Sequence, residues 1–173
     1  MSTDETPAGE ETLRRAAVMW AFVIRGQAQR LTDSVGEFNA AALDGIQAGN
    51  QFVPWNVTWK VGADAYFFLS AAAQLRKCVS KLDGDDLPGS PDDRMIHLLR
   101  NFHEHWEDPT GWSASELRRL IPDAEPGRLA FTKRDVWIEN VSVNGVVEWA
   151  SDVEKALRSH ASRTGATLPD PAG

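Results

Sequence analysis

Leu13, Ala17, Trp20, Ile24, Leu31, Val35, Phe38 and Ala42 follow one another by threes, fours and one gap of seven. An α-helix turns once in 3.6 residues, so this series draws one apolar line along a cylinder. It predicts a helix from about Glu11 to about Asp44, ended by Gly45 and Gly49, with Gly26 or Gly36 as places for a bend. A stripe of that length needs partner helices to cover it, which makes a helical bundle the expected architecture.

The remaining segments fit such a bundle. Pro54 interrupts Gln51–Val61, which reads as a crossing or loop with Trp55 and Trp59 packed over a bundle end. A second helix is expected from about Asp64 to Leu82, with Phe68, Ala72, Leu75, Val79 and Leu82 as its stripe and Asp83-Gly84 as its stop. The third opens at Ser90-Pro91-Asp92-Asp93: a capping serine, a proline at the first helical position, and acids against the positive helix end. Its stripe is Met95, Leu98, Leu99, Phe102 and Trp106, and Asp108-Pro109 ends it. Ser113-Ala114-Ser115-Glu116 is a capping box for a short fourth helix to Ile121-Pro122.

Beyond Pro122 the period changes. Val136, Ile138 and Asn140 alternate with Trp137, Glu139 and Val141, and Asn144-Gly145 precedes Val146-Val147-Glu148-Trp149. An Asn-Gly pair between such runs predicts a β-hairpin. Ser151-Asp152-Val153-Glu154 then predicts a capped last helix to about Arg163. The expected fold is mainly α: an up-and-down helical bundle with a small C-terminal β-hairpin and a final helix. One domain spans 11–163, with the bundle at 11–122 and the hairpin and helix at 128–163. Residues 1–10 and 164–173 read as disordered tails.

Charge and composition narrow the function. The net charge is −7 and no Lys/Arg-rich block is present, which argues against a DNA binder, whose affinity comes from basic surface. Local contact with one or two phosphates stays open. The acidic, base-free N-terminal stretch and the lack of a long apolar run point to a cytoplasmic protein without membrane association. A single cysteine excludes an intramolecular disulfide and a multi-cysteine zinc site; Cys78 reads as a half-buried structural thiol. Seven tryptophans against one tyrosine suggest core or interface anchors, and core packing is the favoured account of Trp106, Trp112 and Trp137. Ser113 and Ser151 read as caps, not nucleophiles. No cofactor is implied, since no glycine-rich phosphate loop occurs. No metal is implied either, because no two of His97, His103 and His105 share the i,i+4 spacing of a zinc helix.

Chemistry concentrates in Arg100-Asn101-Phe102-His103-Glu104-His105-Trp106. Arginine binds phosphate oxygens through a charged fork, and histidine moves protons near neutral pH. At 100° per residue from Met95, Asn101 lies at about 240° and His105 at about 280°, on one flank of the stripe. His103 lies at about 80°, Arg100 at about 140° and Glu104 at about 180°. Asn101 can therefore orient His105, whereas Arg100 and His105 do not converge from one straight helix. They can meet across a two-fold interface, or if the helix is distorted. Two ordinary accounts stand beside this one: Arg100 pairing with Glu104 at i,i+4, and His105 hydrogen-bonding a neighbouring helix.

An arginine, a polar residue, three further residues and a histidine on a late bundle helix resemble the HEPN family motif, over roughly residues 11–122. The resemblance implies a homodimer with both motifs facing a shared cleft. It also implies metal-independent endoribonuclease activity, in a toxin or defence setting and with a possible antitoxin partner. Arg100, Asn101 and His105 become the candidate catalytic residues. Many members of the family are non-catalytic, and a helical interaction module that binds a protein partner is the competing expectation.

Overall fold

A computed structural model describes residues 7–50, 52–82, 86–105, 108, 110–124, 129–131 and 135–170. The chain is mainly α, as its periodicity predicts. Helix α1 spans Pro7–Gln47, α2 Trp55–Val79, α3 Asp93–Glu104, α4 Trp112–Leu120 and α5 Val143–Thr164. A three-stranded antiparallel sheet, β1 (Leu129–Phe131), β2 (Val136–Ile138) and β3 (Val141–Ser142), lies between α4 and α5 in the order β1-β2-β3. Among the described residues no helix is long and apolar enough to cross a membrane.

Helices α1 and α2 form an antiparallel pair, and α5 packs against α1. Ala17, Ala21, Ile24, Leu31 and Val35 of α1 meet Val61, Ala65, Phe68, Ala72 and Leu75 of α2 in one continuous core, which also takes in Val146, Trp149, Val153 and Leu157 of α5. Helix α3 adds Met95, Ile96, Leu98, Leu99 and Phe102, and α4 adds Ala114 and Leu117. A polar clamp crosses the α1–α2 seam. The fully buried Ser34 hydroxyl bonds the Asp64 carboxylate, and Arg30 reaches Asp64 at 3.5 Å. Cys78 is buried, and burial pushes its thiol pKa up against the opposing pull of Lys77 and Lys81.

Several boundaries differ from the sequence expectation. Helix α1 begins at Pro7, so residues 7–10 belong to a helix and not to a disordered tail; proline is at home in the first helical turn, where its missing N–H has no partner to lose. Helix α2 starts directly after Pro54, nine residues before the expected Asp64. Its first turns carry no buried stripe, so periodicity has nothing to mark there. Trp55 and Trp59 do not pack over a bundle end: both are exposed and stack edge to face, 5.5 Å between centroids.

Three serine caps are also displaced. Asp92, at φ 49°, precedes α3 in place of Ser90, whose hydroxyl donates to Pro91 O. Gly111 precedes α4, and Glu116 pairs with Arg94 and Arg119 instead of closing a capping box. Ser151 lies inside α5, where its hydroxyl donates to Val147 O.

The hairpin is real but sits earlier than the Asn-Gly pair predicts. Its turn is Glu139-Asn140, with Glu139 at φ 50° and Ile138 facing Val141. Asn144-Gly145 is the first turn of α5. Ser142 Oγ accepts from Gly145 N at 2.8 Å, and Asp135 Oδ1 accepts from Asn144 N at 3.1 Å. Those are the N–H groups that a helix start leaves without partners. Val143, Val146, Trp149, Ala150, Val153, Leu157 and Ala161 are all buried at helical spacing, which outweighs the local turn signal.

At the other end Gly165, at φ 72°, closes α5. Residues 166–170 are ordered against it: Arg158 donates to Pro169 O, and Leu168 packs on the core. This part of the expected disordered tail is therefore fixed. Trp106, Glu107, Pro109, Asp83-Gly84-Asp85, residues 1–6 and residues 171–173, on which parts of the sequence reading fall, lie outside the described residues.

Candidate functional site

Helix α3 carries the Arg100-Asn101 motif on the side away from its core face. That core face is wider than the expected stripe, because Ile96 is fully buried as well. Ile96 lies at about 100° on the helical projection, close to His103 at about 80°. The consequence is a half-buried His103, and burial lowers its pKa to about 4. His103 is thus a neutral packing residue at physiological pH.

Arg100 is about a third exposed and fully engaged. Its Nη2 lies 2.9 and 2.8 Å from the two Glu104 oxygens, and its Nη1 donates to Asn101 Oδ1 at 3.1 Å. The Asn101 amide nitrogen lies 3.2 Å from His97 Nε2. Glu104, Arg100, Asn101 and His97 therefore form one hydrogen-bonded chain along two turns of helix. Both accounts of Arg100 meet here: it makes the i,i+4 ion pair, and it also touches the polar residue that follows it.

His105 stands at the helix end. Its backbone N–H closes the last turn on Asn101 O at 2.9 Å, but its own torsions, φ −112° and ψ 41°, have left the helix. The residue itself is exposed. The chain turns sharply here, with Asp108 N donating to His105 O at 3.0 Å and Gly111 N to Asp108 O at 3.2 Å. A Cβ on Gly111 would lie 2.7 Å from Asp108 Oδ2, so the close approach favours glycine. Asp108 Oδ1 also accepts from Thr110 N and Oγ1.

The histidine that touches the motif amide is thus His97. The sequence carried a signal for it, since His97 and Asn101 are i,i+4 neighbours, the same spacing that joins Asn101 to His105. The surroundings are rich in arginine. Arg118 stacks over the Phe102 ring at 5.9 Å, while Arg94 and Arg119 both pair with Glu116. Among the described residues no three His, Cys, Asp or Glu side chains gather to hold a metal ion. Trp112 is exposed at the start of α4, contrary to its expected core role, and Trp137 is half-buried on β2.

A second polar concentration went unmarked in the sequence. A shallow cleft of about 340 Å³ between α1 and α2 is lined by Arg30, Asp33, Glu37, Lys60, Asp64 and Phe67. Its residues lie on two helices and have no shared motif, so no local pattern announces it.

No protein-family model, curated protein or solved structure matches this chain.

Proposed function

We propose that this chain is a HEPN-like, metal-independent endoribonuclease of a toxin or defence setting, acting in the cytoplasm as a homodimer whose two motifs face one cleft. The observation that supports it best is the contiguous Arg100–Asn101 contact on α3 with an exposed His105 one turn further on. The RNA 2′-hydroxyl attacks the adjacent phosphorus, and its proton passes to a base. The bond from phosphorus to the 5′-oxygen breaks, and that oxygen takes up a proton. His105 serves as general base or acid. Arg100 exchanges Glu104 for the phosphate oxygens and stabilises the charge that builds on them. Asn101 holds Arg100 in place and contacts the backbone. The products carry a 2′,3′-cyclic phosphate and a 5′-hydroxyl.

The test is cleavage of a structured RNA with and without EDTA. We expect wild-type cleavage to be insensitive to EDTA, and His105→Ala and Arg100→Ala to lose on the order of 100-fold or more in rate. Their circular dichroism should be unchanged. Equal cleavage by His105→Ala would sink the assignment.

A second reading has its own support: Arg100 is already held by Glu104, and the chain is acidic. In that reading the bundle is a non-catalytic module that binds a protein partner over residues 90–108. A tight partner protecting that segment, with no nuclease activity once the partner is removed, would decide for it.

A further inference from the structure

From Gly36 to Lys60 the α1–α2 hairpin holds no buried residue among those described; the last buried position of α1 is Val35 and the first of α2 is Val61. At 1.5 Å per residue, the end of α1 runs on for about 18 Å past that point. The hairpin tip is thus a two-helix arm without a core of its own. Asn50 N donates to Gly45 O at 2.7 Å, folding the connection back on the end of α1. A Cβ on Gly45 would meet Asn50 O at 2.8 Å.

Five large apolar side chains of the arm face solvent. Leu43 is 60% exposed, Ile46 65%, Phe52 79%, Trp55 70% and Trp59 50%. The arm is also nearly free of charge. Glu37, Asp44 and Lys60 are the charged residues of this segment, and Lys60 Nζ lies 2.7 Å from both Glu37 oxygens. Aromatic enrichment with charge depletion is the composition of an interface centre.

We infer that the arm is a self-association surface: it packs on the same arm of a second copy, two helices from each completing an antiparallel four-helix arrangement about a two-fold axis. Two arguments select a second copy. A chain of net charge −7 repels its like, and the arm is a surface on which two copies can meet with few like charges opposed. The area also fits. With aromatic rings offering 150–250 Å² each, the five side chains expose on the order of 600 Å², near the roughly 800 Å² that each partner gives to a standard interface. The interface uses no residue of α3: it names the contact that would join the dimer of the nuclease reading, and a dimer that survives loss of the arm would overturn this contact while leaving that reading to the cleavage test.

Sedimentation velocity of the full chain, without RNA, tests this. We expect a dimer in the micromolar range. Ile46→Lys with Trp55→Glu should make it monomeric, as should Leu43→Lys with Phe52→Glu, each with an unchanged helical circular dichroism spectrum. These sites are exposed, so the folded chain tolerates the changes. A monomeric wild-type chain, a dimer that survives both double variants, or a monomer that instead co-floats with phosphatidylcholine vesicles would overturn the inference.

Discussion

His103 is held neutral by its surroundings, and this has a measurable consequence. Its pKa falls from 6.5 to about 4 on folding, because burial penalises the imidazolium. Between those values the unfolded chain binds a proton that the folded chain excludes. Stability therefore rises with pH across that window and is lost as pH falls through it. We predict that the urea midpoint drops as pH is lowered from 6.5 towards 4, and that His103→Gln flattens this limb. Glu154 acts lower on the scale: burial raises its pKa, but hydrogen bonds and charge from Arg25 and Arg158 outweigh that and hold it below 4.5. Its contribution is present above that value and fades below it, so the two effects separate by pH. An unchanged slope in His103→Gln would mean that other groups govern the window. The sequence placed His103 off the apolar stripe. The reason was Ile96, which lies on the same sector but was not counted in the stripe.

At the scale of elements, periodicity was legible where one face is buried and silent where none is. The stripe from Leu13 to Ala42 marks α1 because α2 and α5 cover it up to Val35, and Phe38 and Ala42 carry it half-buried into the arm. The same silence hid the first turns of α2. Short capping patterns misled more often, because a serine three residues before an acid also fits the middle of a helix. Ser142 and Ser151 make the contrast testable. Ser142 Oγ accepts from Gly145 N and donates to Asp135 Oδ2 at 2.6 Å, whereas Ser151 bonds back to Val147 O within α5. Ser142→Ala should cost about 1 kcal/mol of stability, since it removes a true N-cap. Ser151→Ala should stay within about 0.5 kcal/mol of wild type, as substitutions away from such features do. Guanidinium unfolding of the two variants reads the difference, and an equal effect would contradict the placement of the helix start. In the candidate site, the motif residues were legible by spacing. The departure of His105 from the helix was not, because it depends on the turn through Asp108 and Gly111.

For the molecule as a whole, what matters is how the helix after the sheet is joined to the bundle. Helix α5 lays a full apolar face on α1, and Trp149 Nε1 donates to Pro88 O at 2.9 Å, tying α5 to the segment ahead of α3. Arg25 Nη1 meets Glu154 Oε2 at 2.6 Å across the α1–α5 seam. Leu157 has no exposed surface and belongs to the same cluster as Ile24 and Leu31. A helix joined in this way has no separate melting to show. Leu157→Ala should therefore destabilise the entire chain, by about 2–5 kcal/mol for a fully buried leucine cut to alanine. It should do so in one transition, seen alike by far-ultraviolet circular dichroism and by tryptophan fluorescence. A hinged extension would respond differently, losing a small helical signal first while the fluorescence of the α1–α2 pair held its midpoint. The two probes thus ask whether the arm, the α3 motif and the C-terminal helix share one cooperative scaffold. If they do, a change in α5 far from Arg100 should lower the temperature at which the α3 chain of hydrogen bonds survives, without touching any residue of that chain.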